Sequence, residues 1–159
     1  MAIRTIRTEG DRVLTKVCRP VAESTSKIKQ LVEDMFDTMY EAMGVGLAAP
    51  QVGILKRIVV IDTDGIPYVL INPEILETSG EQTGDEGCLS IPGKCGTVTR
   101  PDYVKVKAYD ADMQPFELEG TGLLARAICH DCEHLDGILY TVHVQGELRD
   151  NTIMEEEDE

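Results

Sequence analysis

His130 and His134 stand four residues apart in the stretch His130-Asp131-Cys132-Glu133-His134, and that spacing constrains the fold more than any other feature of the chain. Side chains at i and i+4 lie one above the other on a helix, so the two imidazoles can grip one metal ion if this stretch is helical. They sit about 40° apart around the axis, while Cys132 points to the opposite side and is not their co-ligand. The zinc-hydrolase pattern H-E-x-x-H carries a glutamate directly after the first histidine, and here the shorter Asp131 occupies that place. From the midline between the histidines, Asp131 lies about 80° to one side and Glu133 about 80° to the other, so periodicity does not choose between the two carboxylates.

The surrounding segment predicts a helix over about 122–136, with Leu124, Ala127, Ile128 and Leu135 available for burial. An earlier helix is traced by Ile28, Leu31, Val32, Met35, Phe36, Met39, Tyr40 and Met43, which recur in steps of three and one. Ser26 is its predicted N-cap and Gly44 its predicted stop. Between the two, β-rich runs at 57–62, 68–72, 96–100, 103–109 and 115–119 are separated by Gly, Pro and Asp. The order predicts an α+β fold: mostly antiparallel strands, an N-terminal helix, and a metal-binding helix carrying His130 and His134.

With 159 residues, 42% of them apolar and 28% charged, the chain fits a single domain over 1–150. Residues 151–159 end in Glu155-Glu156-Glu157-Asp158-Glu159 and read as a disordered acidic tail. A net charge of −14 repels phosphate backbones and anionic lipid surfaces, which argues against strong nucleic-acid or membrane binding. No long apolar run and no apolar leader follows Met1, so a cytoplasmic location is expected. In a reducing compartment the five cysteines read as thiols or metal ligands rather than as a disulfide framework.

Gly44-Val45-Gly46-Leu47-Ala48-Ala49 satisfies the dinucleotide pattern G-x-G-x-x-G/A. That fingerprint must leave a strand and open a helix, whereas here a helix precedes it and Pro50 with a strand follows, so nucleotide binding is excluded. The two glycines instead mark backbone lying close to a ligand or to another strand. For a third metal ligand the best candidate is Cys88, in Asp85-Glu86-Gly87-Cys88-Leu89-Ser90-Ile91-Pro92. A Cys-His-His set leaves a fourth position for water, the mark of a catalytic rather than a structural ion, and makes hydrolysis the leading chemistry.

Taken together, Gly44-Val45-Gly46-Leu47-Ala48-Ala49-Pro50-Gln51, Glu86-Gly87-Cys88-Leu89-Ser90 and His130-Asp131-Cys132-Glu133-His134 resemble the three motifs of bacterial peptide deformylase, in order and spacing. Gly10-Asp11-Arg12-Val13-Leu14 and Leu135-Asp136-Gly137 also look like that family. The resemblance implies removal of the N-formyl group from the initiator methionine of nascent polypeptides, with release of formate and one Fe2+ per chain that Zn2+, Ni2+ or Co2+ can replace. It maps Cys88, His130 and His134 onto the metal ligands, and Gln51 and the Leu89 amide onto the donors that stabilise the oxyanion. Val45 and Gly46 would hold the substrate backbone as an added strand, Arg126 and Ala127 would shape the methionine pocket, and Glu86 would support the site. Family members are linked to ribosomes through their C-terminal region, but the acidic end here lacks the basic character for docking on RNA.

The family motif reads His-Glu-x-Asp-His, so in this chain the two acids have exchanged lengths. By position Asp131 inherits the general base, and Glu133 the structural role of pairing with Arg100. The lost carbon–carbon bond shortens the reach of Asp131 by roughly 1.5 Å, and a displacement of about 1 Å can cost ~10²-fold in rate. Three outcomes follow: Asp131 works at reduced rate through a shifted helix or a bridging water, Glu133 is recruited instead, or the protein is a silent relative that binds metal and formyl-peptide without turnover. A peptidase built on the same H-E-x-x-H logic is disfavoured by the small chain and the first two motifs.

Overall fold

Thr25, not Ser26, caps the first helix: α1 spans Ser26–Glu41, and Thr25 Oγ1 accepts from the Ile28 amide at 3.2 Å. The helix stops where Met43 turns left-handed (φ 59) and the Gly44 amide donates back to Met39 O at 2.9 Å. Ile28, Leu31, Val32, Met35 and Met39 are buried as the stripe predicts. Its far end is not: Tyr40 is half-exposed, its hydroxyl donating to Asp62 Oδ2 at 2.6 Å, and Met43 is 91% exposed. Met43 lies past the last helical turn, where the 3.6-residue period no longer fixes its direction.

In the computed structural model, which describes residues 2–150, the remaining elements are β1 (Gly46–Ala48), β2 (Ile58–Ile61), β3 (Tyr68–Ser79), β4 (Gln82–Cys88), β5 (Ile91–Arg100), β6 (Tyr103–Tyr109), β7 (Pro115–Thr121), α2 (Gly122–His134) and β8 (Gln145–Asp150). The predicted acidic tail at 151–159 lies outside the described residues. Every strand pair is antiparallel, in a five-stranded sheet ordered β1-β2-β3-β6-β7 and a three-stranded sheet ordered β4-β5-β8. The fold is α+β, as expected, and among the described residues no helix is long and apolar enough to cross a membrane.

The core follows from strand alternation. All four residues of β2 are fully buried: Ile58 and Val60 pack with α1, while Val59 and Ile61 pack with Ala125, Ala127 and Ile128 of α2. One strand thus carries both helices, one on each face of the large sheet. Beyond α2 the chain turns at Gly137 (φ 76), where a Cβ would meet Thr15 O at 2.5 Å, so only glycine fits.

β2 and β7 match their expected positions to within two residues and β6 matches residue for residue, whereas β5 begins at Ile91, ahead of the run expected at 96–100, because β4 pairs with it along Ile91–Arg100. β3 runs on to Ser79 past Pro73, because register shifts between Ile71 and Glu74 let the pairing with β6 resume beyond the proline. β1, β4 and β8 lack a sequence signal. β4 reads Gln-Thr-Gly-Asp-Glu-Gly-Cys and is a strand because β5 pairs with it from Gln82↔Arg100 to Cys88↔Ile91.

Candidate metal centre

The β4–β5 hairpin turns through Leu89 and Ser90, which places Cys88 at the end of β4, facing α2. Cys88 Sγ lies 3.4 Å from His134 Nε2, and His134 Nε2 lies 3.2 Å from His130 Nε2. Bonds of about 2.0–2.3 Å to nitrogen and sulfur at a tetrahedral angle separate ligand atoms by about 3.3–3.6 Å, so both of these pairs have the spacing of donors to one ion, and all three ligand atoms lie within 4.8 Å of one another. The donor set, one thiol and two imidazoles, suits Fe(II), Zn, Ni or Co. Burial, then the nearby charges of His130 and Arg100, lower the His134 pKa to about 3 and keep it a neutral donor.

Glu86 is the centre of the supporting network. Its Oε1 accepts from His130 Nδ1 at 2.5 Å and from Arg100 Nη2 at 2.7 Å, and its Oε2 accepts from Arg126 Nη1 at 2.7 Å and Arg100 Nε at 3.2 Å. His130 Nδ1 donates to Glu86; although burial opposes it, the hydrogen bonds of Cys88 and Glu86 raise the imidazole to about 10 in the ion-free site, so Nε2, which faces His134 and Cys88, would exchange its proton for an ion. Desolvation pushes the Glu86 carboxyl up, yet the hydrogen bonds and charges of His130 and Arg100 outweigh it and hold the group well below the usual carboxylate range.

The two acids of the helix have different surroundings, a distinction periodicity could not make. Glu133 Oε1 accepts from Arg100 Nη1 at 2.5 Å and its Oε2 accepts from His143 Nε2 at 2.7 Å. Asp131 is 3% exposed, lines the cleft, and its Oδ2 has no hydrogen-bond partner among the described residues. Burial pushes its carboxyl up to about 7, the His130 charge acting downward and the Glu86 charge upward. Gly46 faces it: a Cβ there would lie 2.0 Å from Asp131 Oδ2. The close approach expected of this glycine is therefore to the helix that carries both histidines.

Gln51 sits in the 3-10 turn Ala49–Val52 and is 1% exposed. Its Oε1 accepts from the Ala48 amide at 2.9 Å, while Nε2 donates to Ser90 Oγ at 3.0 Å and lies 3.5 Å from Cys88 Sγ. This orientation aims an amide donor at the thiol. A cleft of about 720 Å³ opens onto these groups; Val45, Gly46, Leu89, Arg126 and Ala127 line it along with Gln51, Glu86, Cys88, His130 and Asp131. Arg126 does more than line it, since its guanidinium also reaches Val98 O at 3.3 Å. Ser90, Tyr140 and His143 were not singled out from sequence. Tyr140 stacks on His130, with centroids 5.7 Å apart, and a lone aromatic or histidine after a helix offers no periodic signal that could have found it.

Every candidate site residue named from the sequence is thus at this cleft or in the network behind it. The family model described as polypeptide deformylase matches residues 3–150. Peptide deformylase of Lachnoclostridium phytofermentans is 62% identical over 100% of this chain and 99% of its own length, and that of Agathobacter rectalis is 66% identical over 96% of each. Among solved structures, a peptide deformylase from Legionella pneumophila superposes with a TM-score of 0.88 at 45% identity, covering 91% of this chain and 87% of that one. One from Synechococcus elongatus in complex with actinonin gives 0.87 at 43% identity, covering 89% and 79%. With a thiol and two imidazoles converging at the cleft and the match running nearly end to end, the chain belongs to the polypeptide deformylase family.

Proposed function

We propose that this protein removes the formyl group from N-formylmethionyl nascent peptides, releasing formate, with Asp131 as the general base. The observation that carries the reading is the convergence of Cys88, His130 and His134 beside the unpartnered Asp131 carboxylate in a family member's cleft. Cys88, His130 and His134 would hold one Fe2+, or Zn2+, Ni2+ or Co2+ in its place. When bound, the ion lowers the pKa of water and polarises a carbonyl.

Asp131 takes the proton of the attacking water and returns it to the departing amide nitrogen, leaving formate and a free amino terminus. Gln51 Nε2 and the Leu89 amide donate to the oxyanion that develops on the formyl oxygen. Val45 and Gly46, at and beside the free edge of β1, bind the peptide as an added strand, and Arg126 and Ala127 bound the pocket for the methionine side chain. Recruitment of Glu133 as the base is disfavoured, because both its oxygens are engaged by Arg100 and His143; it serves as a structural acid. Asp131 fills the position of the family's glutamate, and its shorter reach, by roughly 1.5 Å, predicts a reduced rate. We read residues 1–150 as one domain acting in the cytoplasm, with no attachment to the ribosome through the acidic C-terminus.

The test is formate release from formyl-Met-Ala-Ser by the ferrous-reconstituted protein, with metal content measured in parallel. Wild type turns over, Cys88→Ala does not, and Asp131→Glu is faster by about 10- to 100-fold. Metal-loaded wild type that is inert beside an active Asp131→Glu variant would instead identify a silent relative that binds metal and peptide.

A further inference from the structure

We propose that His143 is a positioning residue for the metal centre, acting through Glu133 to hold the Tyr140 turn against His130. The inference rests on the ligand set proposed above. Tyr140–His143 forms a single 3-10 turn after α2, and its first and last residues both reach back to that helix. Tyr140 is 1% exposed and its ring stacks on the His130 imidazole, 5.7 Å between centroids and 25° between planes. It also packs with Ile91 and Val98 of β5, and Cys88 packs against the same cluster. One aromatic ring therefore touches both the strand pair that carries the thiol and the helix that carries the imidazoles.

His143 closes the far end of the turn. Its Nε2–H donates to Glu133 Oε2 at 2.7 Å, since a carboxylate only accepts. The other Glu133 oxygen accepts from Arg100, Arg100 donates twice to Glu86, and Glu86 holds His130 Nδ1. Two routes leave the one turn and meet at the same imidazole: a packing route through Tyr140, and a chain of charge-assisted hydrogen bonds through His143, Glu133, Arg100 and Glu86.

The length of Glu133 makes the second route possible. Its carboxylate spans from the buried guanidinium of Arg100 to the half-exposed ring of His143. An aspartate at this position would be shorter by roughly 1.5 Å and could not keep both partners without a shift of the helix. The exchange of acids in this chain therefore has two consequences. The first acid loses reach toward the cleft, and the second gains a contact that ties the segment leading into β8 to the metal helix.

The experiment uses the full chain loaded with Co2+, whose d–d and thiolate charge-transfer absorption reports the ligand geometry, and follows transfer of the ion to a chelator. His143→Ala should speed ion release about threefold to tenfold and shift the absorption, less than the 10- to 100-fold expected for a group that touches a ligand directly. His143→Gln, which keeps a donor at the same reach, should restore the wild-type rate. Val142→Ala, at a position 68% exposed in the same turn, should change nothing. Glu133→Asp should reproduce His143→Ala, and the double variant should be no worse than either single one. A His143→Ala protein that melts earlier but releases Co2+ at the wild-type rate with an unchanged spectrum would reduce the contact to a structural one and overturn the proposal. So would independent, additive effects of the two substitutions. Absence of the thiolate band from wild type itself would overturn the ligand assignment and this inference with it.

Discussion

Asp131 and Gly46 meet across the cleft so closely that a Cβ on Gly46 would lie 2.0 Å from Asp131 Oδ2. No real side chain tolerates that distance, so the carboxylate or the strand edge must move when anything larger than hydrogen is introduced. Gly46→Ala should lower kcat/KM for a formylated peptide by about 10²-fold while leaving metal content at one ion per chain. Activity within a fewfold of wild type would show that the Asp131 position is not critical to the reaction.

Burial raises the Asp131 pKa from 3.8 to about 7, and the sign of its effect on stability is the reverse of a paired carboxylate's. Below the unfolded value both states carry the proton and there is no cost. As pH rises toward 7 the unfolded chain releases it more readily, so the metal-free protein loses stability, and the loss levels off above that point. In chelator, the urea midpoint of Asp131→Asn should rise relative to wild type between about pH 4 and about pH 7 and hold that lead above it. A gap that stays constant with pH would remove the penalty assigned to this carboxylate.

Glu86 should be the most destabilising position of the network. It is 5% exposed, and Arg100 and Arg126 are buried with it. Removing the anion with Glu86→Gln leaves two guanidinium groups undercompensated, at a cost of about 3–5 kcal/mol by denaturant unfolding. Because the Glu86 pKa is held down from 4.5, its contribution is present above that pH and is lost as pH falls below it, so wild type and variant should converge in acid.

Thiol labelling of native protein at about pH 8 should divide the cysteines by environment. Burial pushes Cys18 and Cys129 up to about 11, so these two should label only on unfolding; Cys132 is half-buried, but burial and the Asp131 charge push its thiol up further still, so it should label slowly. Cys88 and Cys95 are half-buried and should label first in chelated protein. Added Zn2+ should protect Cys88 and leave Cys95 reactive, as peptide mapping by mass spectrometry would show. Equal protection of both cysteines would argue against Cys88 as the specific ligand.

Local pattern alone disclosed both helices, the strand at β6 and the pairing of His130 with His134. Each of these is governed by neighbours within a turn or by alternation along one strand, which is information the chain carries over a few residues. The residues around Cys88 offered it as the third ligand, and the family motifs extended this to Gln51, a segment that no local period connects to the histidines. Folding decided what depends on distant partners. β4 is a strand only because β5 lies beside it, and Glu86 is a buried anion only because Arg100, Arg126 and His130 arrive from β5 and α2. The two acids of α2 were indistinguishable by helical angle, since each sits about 80° from the histidine midline. Their surroundings differ because α2 packs with one flank toward Gly46 and the cleft and the other toward Arg100 and the Tyr140–His143 turn. Tertiary packing, and not helix geometry, therefore leaves Asp131 Oδ2 without a hydrogen-bond partner among the described residues and engages both oxygens of Glu133.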